Sequence, residues 1–258
     1  MHTGAITQYI DVAQLALYAF WIFFAGLIYY LRQEDKREGY PLESELSDRI
    51  RSQGFPPMPS PKTFLLAHGG TVSAPSGKRD DREIRAKPTA AWPGAPLQPT
   101  GDPMLDGVGP AAYANRADVP DLTIEGTPKI VPLRVAADFH VESRDPDPRG
   151  MEVLGADRLV GGVVRDIWVD RSEVIFRYLE VEVLTPSGTK RVLLPVNFTR
   201  IDAQRRQVRV KAIMARHFAN VPALKNPEQV TFLEEDRITA YYAGGKLYAD
   251  PSRSEPLL

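Results

Sequence analysis

The chain has 258 residues, with 32 Lys and Arg against 33 Asp and Glu, a formal net charge of −1, four His and no Cys. That balance excludes a long nucleic acid as a partner, because its phosphates demand a basic face. The missing thiols exclude disulfides, thiolate metal sites and cysteine nucleophiles, and they fit a reducing compartment.

Residues 1–11 form a short N-terminus without Lys or Arg. The first strong signal is 12–31, VAQLALYAFWIFFAGLIYYL, an uncharged run of about 20 residues, the length that one helix needs to cross a bilayer. The junction that follows, 32–53, opens with Arg32, Gln33, Glu34, Asp35, Lys36 and Arg37. Basic residues collect on the cytoplasmic side, so the pattern predicts a single-pass helix with a periplasmic N-terminus and a cytoplasmic bulk. A cleaved signal peptide needs its basic residues before the apolar run. Here they follow it, and Tyr18, Trp21, Tyr29 and Tyr30 interrupt the run. Tyr29 and Tyr30 are predicted at headgroup level, with Phe20, Trp21, Phe23 and Phe24 deeper, facing lipid or other helices. Arg32, Lys36 and Arg37 fall at headgroup depth, where each base near anionic lipid is worth about 1 kcal/mol, and they are candidates for a phospholipid headgroup.

Residues 54–128 are rich in Pro and Gly, which excludes helices of ordinary length. Phe64, Leu65, Leu66, Trp92, Leu97, Met104 and Leu105 are more apolar surface than a disordered spacer needs. The segment is therefore predicted to be an extended layer that folds against a partner surface.

Residues 129–248 change to short β-rich runs: KIVPLRV, MEVLG, GVVRDIWVD, VIFRYLEVEVL, TKRVLLPVNF and RQVRVKAIM. They predict a small, strongly bent antiparallel sheet or barrel. In VIFRYLEVEVL the alternation turns Ile175, Tyr178 or Leu179, Val181 and Val183 inward and Arg177, Glu180 and Glu182 outward, with a bulge between Phe176 and Leu179. Pro186, Ser187 and Gly188 read as a hairpin turn. Glu234 to Tyr248 reads as a helix with an acidic first turn, which Gly244 and Gly245 stop or kink. A tail, 249–258, follows.

No G-x-G-x-x-G, P-loop, G-x-S-x-G or H-E-x-x-H is present. His2, His68, His140 and His217 are dispersed and lack ligand spacing, which predicts no metal site. His68 reads as a turn or interface residue, and His140 and His217 as hydrogen-bonded edges of the domain. Ionisable residues do gather in DIWVDRSEVIFRYLE, where Asp166, Asp170, Glu173, Arg177 and Glu180 lie along two strands and their turn. That spacing lets Asp170, Glu173 and Arg177 meet at one end of the barrel. Two readings are open: a surface salt-bridge network of little energetic weight, or a proton relay of interacting carboxylates.

The segments RQEDKREGYPLE, PKTFLLAHGG, PTGDPMLDGVGPA, KIVPLRVA, DIWVDRSE, RYLEVEVL, LLPVNF, HFANVPAL and EEDRITAYYAGGKLYA, in that order, closely resemble the H subunit of the purple bacterial photosynthetic reaction centre. The resemblance implies a single transmembrane helix, a cytoplasmic PRC-barrel domain, a Pro-rich surface layer and a C-terminal helix, in a bacterial inner (intracytoplasmic) membrane. It implies a subunit without pigment or redox step that caps the L and M subunits and shields the quinone region. Bacteriochlorophyll, bacteriopheophytin, quinones and non-haem iron would be held on L and M. A cytochrome subunit and the light-harvesting 1 antenna are further implied neighbours. It also implies a part in proton delivery to the secondary quinone, with Glu43, Asp121, Asp170, Glu173 and Glu235 as carriers and Arg177 as a charge that keeps neighbours ionised. Some members carry a histidine proton entrance before the segment matching Lys129. Here Ile124, Glu125, Gly126, Thr127 and Pro128 stand instead, and Glu125 is the candidate surface collector. Rival readings are a membrane-tethered PRC-barrel adaptor without photochemical partners and a membrane-bound enzyme.

Overall fold

The computed structural model describes residues 6, 10–44, 47–78, 80 and 82–253, with the side chains of 43, 44 and 47–52 outside the description. Contacts divide the chain into two units, Met1–Arg79 with Ala91–Gly94, and Asp80–Ala90 with Ala95–Leu258.

The first unit is built on helix α1 (Val12–Glu34), capped by Asp11, whose Oδ1 accepts from the Gln14 amide at 2.7 Å. No residue of α1 is buried, as suits a helix apolar all round that is solvated by lipid or by another protein. Two hairpins follow, β1 (Leu42–Ser44) with β2 (Ser47–Ser52), and β3 (Lys62–Leu65) with β4 (Thr71–Ala74). His68 lies in the turn of the second. All of β3 is exposed, as is Leu66 beyond it.

In the second unit, β5 (Ala86–Pro88) pairs with β6 (Leu97–Pro99), and a one-turn helix α2 (Pro103–Asp106) precedes the sheet. The sheet holds β7 (Ile130–Pro132), β8 (Glu152–Leu154), β9 (Val160–Asp170), β10 (Ile175–Thr185), β11 (Gly188–Pro195), β12 (Thr199–Asp202) and β13 (Gln207–Val210). Its order is β11-β10-β9-β8-β13-β12, with β7 also on β9. All pairings are antiparallel except β8 with β13. No pairing joins β12 to β11 among the described residues. Helix α3 (Phe232–Tyr248) closes the core, which buries Trp168, Phe218, Tyr241 and Tyr242 almost completely.

The β10–β11 hairpin turns at Pro186–Ser187 as expected, and register shifts between Phe176 and Tyr178, where a bulge was expected. Tyr178, Leu179, Val181 and Val183 are buried. Three expectations are corrected. Ile175 is 44% exposed, because it opens β10 beside the turn. Glu180 is buried, since a second register shift after it turns its carboxylate among the Trp168 indole N–H (3.0 Å), Arg134 (2.8 Å) and Arg191 (2.9 Å). Gly244 and Gly245 stop nothing; they lie inside α3, where a Cβ on Gly244 would stand 2.5 Å from the Ala111 Cβ and one on Gly245 2.4 Å from Ile213 Cγ2. The helix starts earlier than Glu234, at a capping box. Thr231 Oγ1 accepts from the Glu234 amide at 3.2 Å, and Glu234 Oε2 accepts from the Thr231 amide at 2.9 Å.

Candidate proton-transfer site

The C-terminal end of β9 and the N-terminal end of β10 meet at the turn Arg171–Val174. Asp170 shapes it: its Oδ1 accepts from the Ser172 and Glu173 amides, both at 3.0 Å. Strand β7 pairs with the same end of β9, Ile130 opposite Asp170, which brings Lys129 alongside. The Lys129 ammonium stands 3.3 Å from Glu173, 3.4 Å from Asp170 and 3.6 Å from Asp121. Burial works against its charge, but Glu173 and Asp170 outweigh that and raise its pKa. The three carboxylates differ in access: the side chains of Glu173 and Asp121 are 53% and 38% exposed and that of Asp170 is 2% exposed.

The first turns of α3 form the opposite wall. Glu235 Oε2 accepts from the Tyr178 hydroxyl at 2.7 Å and lies 4.0 Å from Arg177. Burial pushes the Glu235 carboxyl above its ordinary pKa; the Tyr178 hydroxyl, Arg177 and Arg116 pull it down without overcoming that. Tyr178, desolvated and facing Glu235, is raised as well. Asp121, Lys129, Asp170, Glu173, Arg177 and Glu235 all line one cleft of about 550 Å³.

Asp170, Glu173 and Arg177 thus share a cleft, as the spacing suggested, but Arg177 faces Glu235 and Lys129 binds the other two acids. Arg177 does pull the Glu235 pKa down, as a neighbouring positive charge should, but burial outweighs it in the net shift. Lys129 and Tyr178 were missed as site residues. Lys129 opens the run KIVPLRV, and its position before a strand and shortly after Asp121 was the available signal; Asp170 and Glu173 lie more than 40 residues on, beyond what local spacing reports.

The N-terminal region of the photosynthetic reaction centre H-chain matches residues 4–135, more than half of the chain, and the PRC-barrel domain matches 140–216. The chain belongs to the reaction-centre H-chain family. The first match covers α1, Asp121 and Lys129, the second covers Asp170, Glu173 and Arg177, and Glu235 lies beyond both. Membership makes this H chain a structural subunit rather than a classical enzyme, implies association with the pigment-binding L and M subunits, and places it in a bacterial photosynthetic membrane, where α1 fits a single span.

The other predicted residues of the H chain lie outside the cleft. Glu125 is exposed in the turn before β7, and the Thr123 hydroxyl and its own amide hold its carboxyl below the usual range. Glu43 lies in β1 opposite Arg51, and its side chain is outside the described residues. The three bases after the span diverge. Lys36 is 2% exposed, donates to the carbonyls of Gln53, Gly54 and Pro56, and lies 5.2 Å from the centre of the Tyr40 ring. Its three protons are directed at those carbonyls. The Arg37 side chain, 9% exposed, bonds Glu34 and the carbonyls of Ser60 and Ala74. Arg32 stays 61% exposed and, among the described residues, pairs only with Asp35, at 3.4 Å.

Proposed function

We propose that this H chain caps the cytoplasmic face of L and M, stabilises the complex, shields the quinone region and helps to conduct protons to the secondary quinone. One observation carries the relay: three carboxylates of graded exposure converge on Lys129 in a single cleft whose far wall holds Glu235. Glu173 and Asp121 collect protons from solvent at the mouth. Asp170, fixed by two backbone amides, is the inward acceptor, and the Lys129 charge limits the repulsion among the acids. On the other wall Glu235 takes a proton more readily than an exposed carboxylate, because burial favours its neutral form. Glu125 adds a parallel surface collector, and Glu43 belongs to the relay by resemblance. Of Arg32, Lys36 and Arg37, the bases proposed for an anionic lipid headgroup, Arg32 is the most exposed.

The test is flash-induced kinetics of the second electron transfer to the secondary quinone, followed from pH 6 to 9 in complexes carrying Glu173→Gln. Slower proton-coupled transfer with unchanged primary charge separation is the expected result, with a smaller effect from Glu125→Gln. Wild-type rates across that range, in complexes that assemble, would reduce the cluster to a salt-bridge network.

A further inference from the structure

A second cleft of the barrel domain has no part in the relay. It has a volume of about 1140 Å³, against 550 Å³ for the relay cleft, and lies among β12, β13, the Gly155–Arg158 turn and the C-terminal end of α3. Seven of its lining residues are Arg or Lys, and none is Asp or Glu among the described residues. In a chain of net charge −1 this is a strong local excess of one sign.

The state of these cations sets the cleft apart. In a separate 480 Å³ pocket the arginines are neutralised, Arg134 by Asp166 and Glu180, Arg149 by Asp147, Arg165 by Glu182 and Arg191 by Glu180. In the large cleft Asp202, off the wall, takes Arg205 and Arg209 at 3.3 and 3.1 Å. Arg253 spends its guanidinium on the carbonyls of Lys211, Ala212 and Gly245, and Lys246 stands over the Phe198 ring at 5.1 Å. Arg158, Arg200 and Lys211 have no side-chain hydrogen bond or ion pair among the described residues. Cations of one sign crowded in a concavity repel one another and focus a field that concentrates anions there. Arg and Lys together suit phosphate, the fork supplying paired donors and the ammonium a point charge.

We propose that this cleft binds at least two anionic phosphates, carried on one soluble ligand or on neighbouring phospholipid headgroups. A single phosphate, with at most two negative charges, would leave part of the charge of Arg158, Arg200 and Lys211 unmet, and the volume exceeds the roughly 300–1,000 Å³ of ordinary small-molecule pockets. The source is either a soluble diphosphate or the headgroups of anionic phospholipid.

The experiment uses the full-length chain in detergent, with the subunits that copurify with it. Calorimetric titration with inorganic pyrophosphate at low ionic strength should show saturable binding at one site per chain, weakened by added salt. Joint Arg158→Gln and Lys211→Gln substitution should weaken it at least tenfold, while Arg144→Gln, at a side chain 89% exposed and elsewhere, should not. Both altered side chains lack internal partners, so the variant keeps its fold, which its thermal unfolding verifies. Native mass spectrometry with phosphatidylglycerol or phosphatidylcholine assigns the source. A phosphatidylglycerol adduct lost in the double variant, without pyrophosphate binding, identifies lipid headgroups; pyrophosphate saturation identifies a soluble diphosphate. If the double variant matches the wild type with both probes, the proposal is overturned.

Discussion

Glu180 and Glu182 sit two positions apart on β10, and both were expected to face outward. Glu182 remains accessible and pairs with Arg165 at 2.6 Å, whereas Glu180 is buried, bonded to an indole and two guanidinium groups. Polar alternation could not distinguish them, because a carboxylate with enough donors satisfies a buried position as well as an exposed one. Glu235 makes the same point with a measurable consequence. Its folded pKa is raised, first by burial, so between its unfolded value near 4.5 and that higher folded value the native state binds more protons than the unfolded chain. Stability from this group is full below about pH 4.5 and falls as pH rises through the folded pKa. Glu235→Gln keeps an acceptor for the Tyr178 hydroxyl but removes the titration. Thermal unfolding of wild type and variant from pH 4 to 8 should therefore show the variant gaining Tm relative to wild type as pH rises, with the gap levelling off above the folded pKa. A gap that is flat or narrows with pH would contradict the sign.

At the scale of elements, α1 and the β10–β11 hairpin were legible because their signals are local: an uncharged run and a two-residue turn. The parallel pairing of β8 with β13 was not, since Glu152 meets Gln207 across more than 50 residues that no periodicity links. Helix α3 shows how packing overrides propensity. A glycine pair normally weakens a helix by about 1 kcal/mol per residue relative to Ala, yet here the missing side chains admit Ala111 on one side and the Ala212–Ile213 segment on the other. Gly245→Ala would regain helix propensity, but its Cβ would lie 2.8 Å from the Ala212 carbonyl oxygen, a backbone atom with little room to yield. Overpacking of about 1–3 kcal/mol then exceeds the gain, and the variant should lose about 1 kcal/mol in thermal unfolding. A stabilised Gly245→Ala protein would show that the close approach is not a constraint.

Over the whole molecule, the sequence displayed a span, a Pro-rich stretch and a β-rich domain. It did not display which apolar residues the chain would leave uncovered. Trp21, Ile22 and Phe23 of α1 and Leu65 of β3 are each more than half exposed, whereas Trp168 and Phe218 are wholly buried. Composition treats these residues alike; only the fold separates those that stabilise this chain from those left for lipid or for the L and M subunits that its family implies. The orientation of the span follows from charge. No Lys or Arg precedes α1 in the sequence, while Arg32, Lys36 and Arg37 follow its apolar run, and that asymmetry predicts a cytoplasmic C-terminal bulk. Protease added to inside-out membrane vesicles should remove nearly all of the chain beyond residue 37, and protease added to right-side-out spheroplasts should leave it intact. The protected fragment in the first case should carry α1 and copurify with pigment-binding subunits. Digestion of the bulk from the spheroplast side would reverse the predicted topology and, with it, remove the proposed proton path.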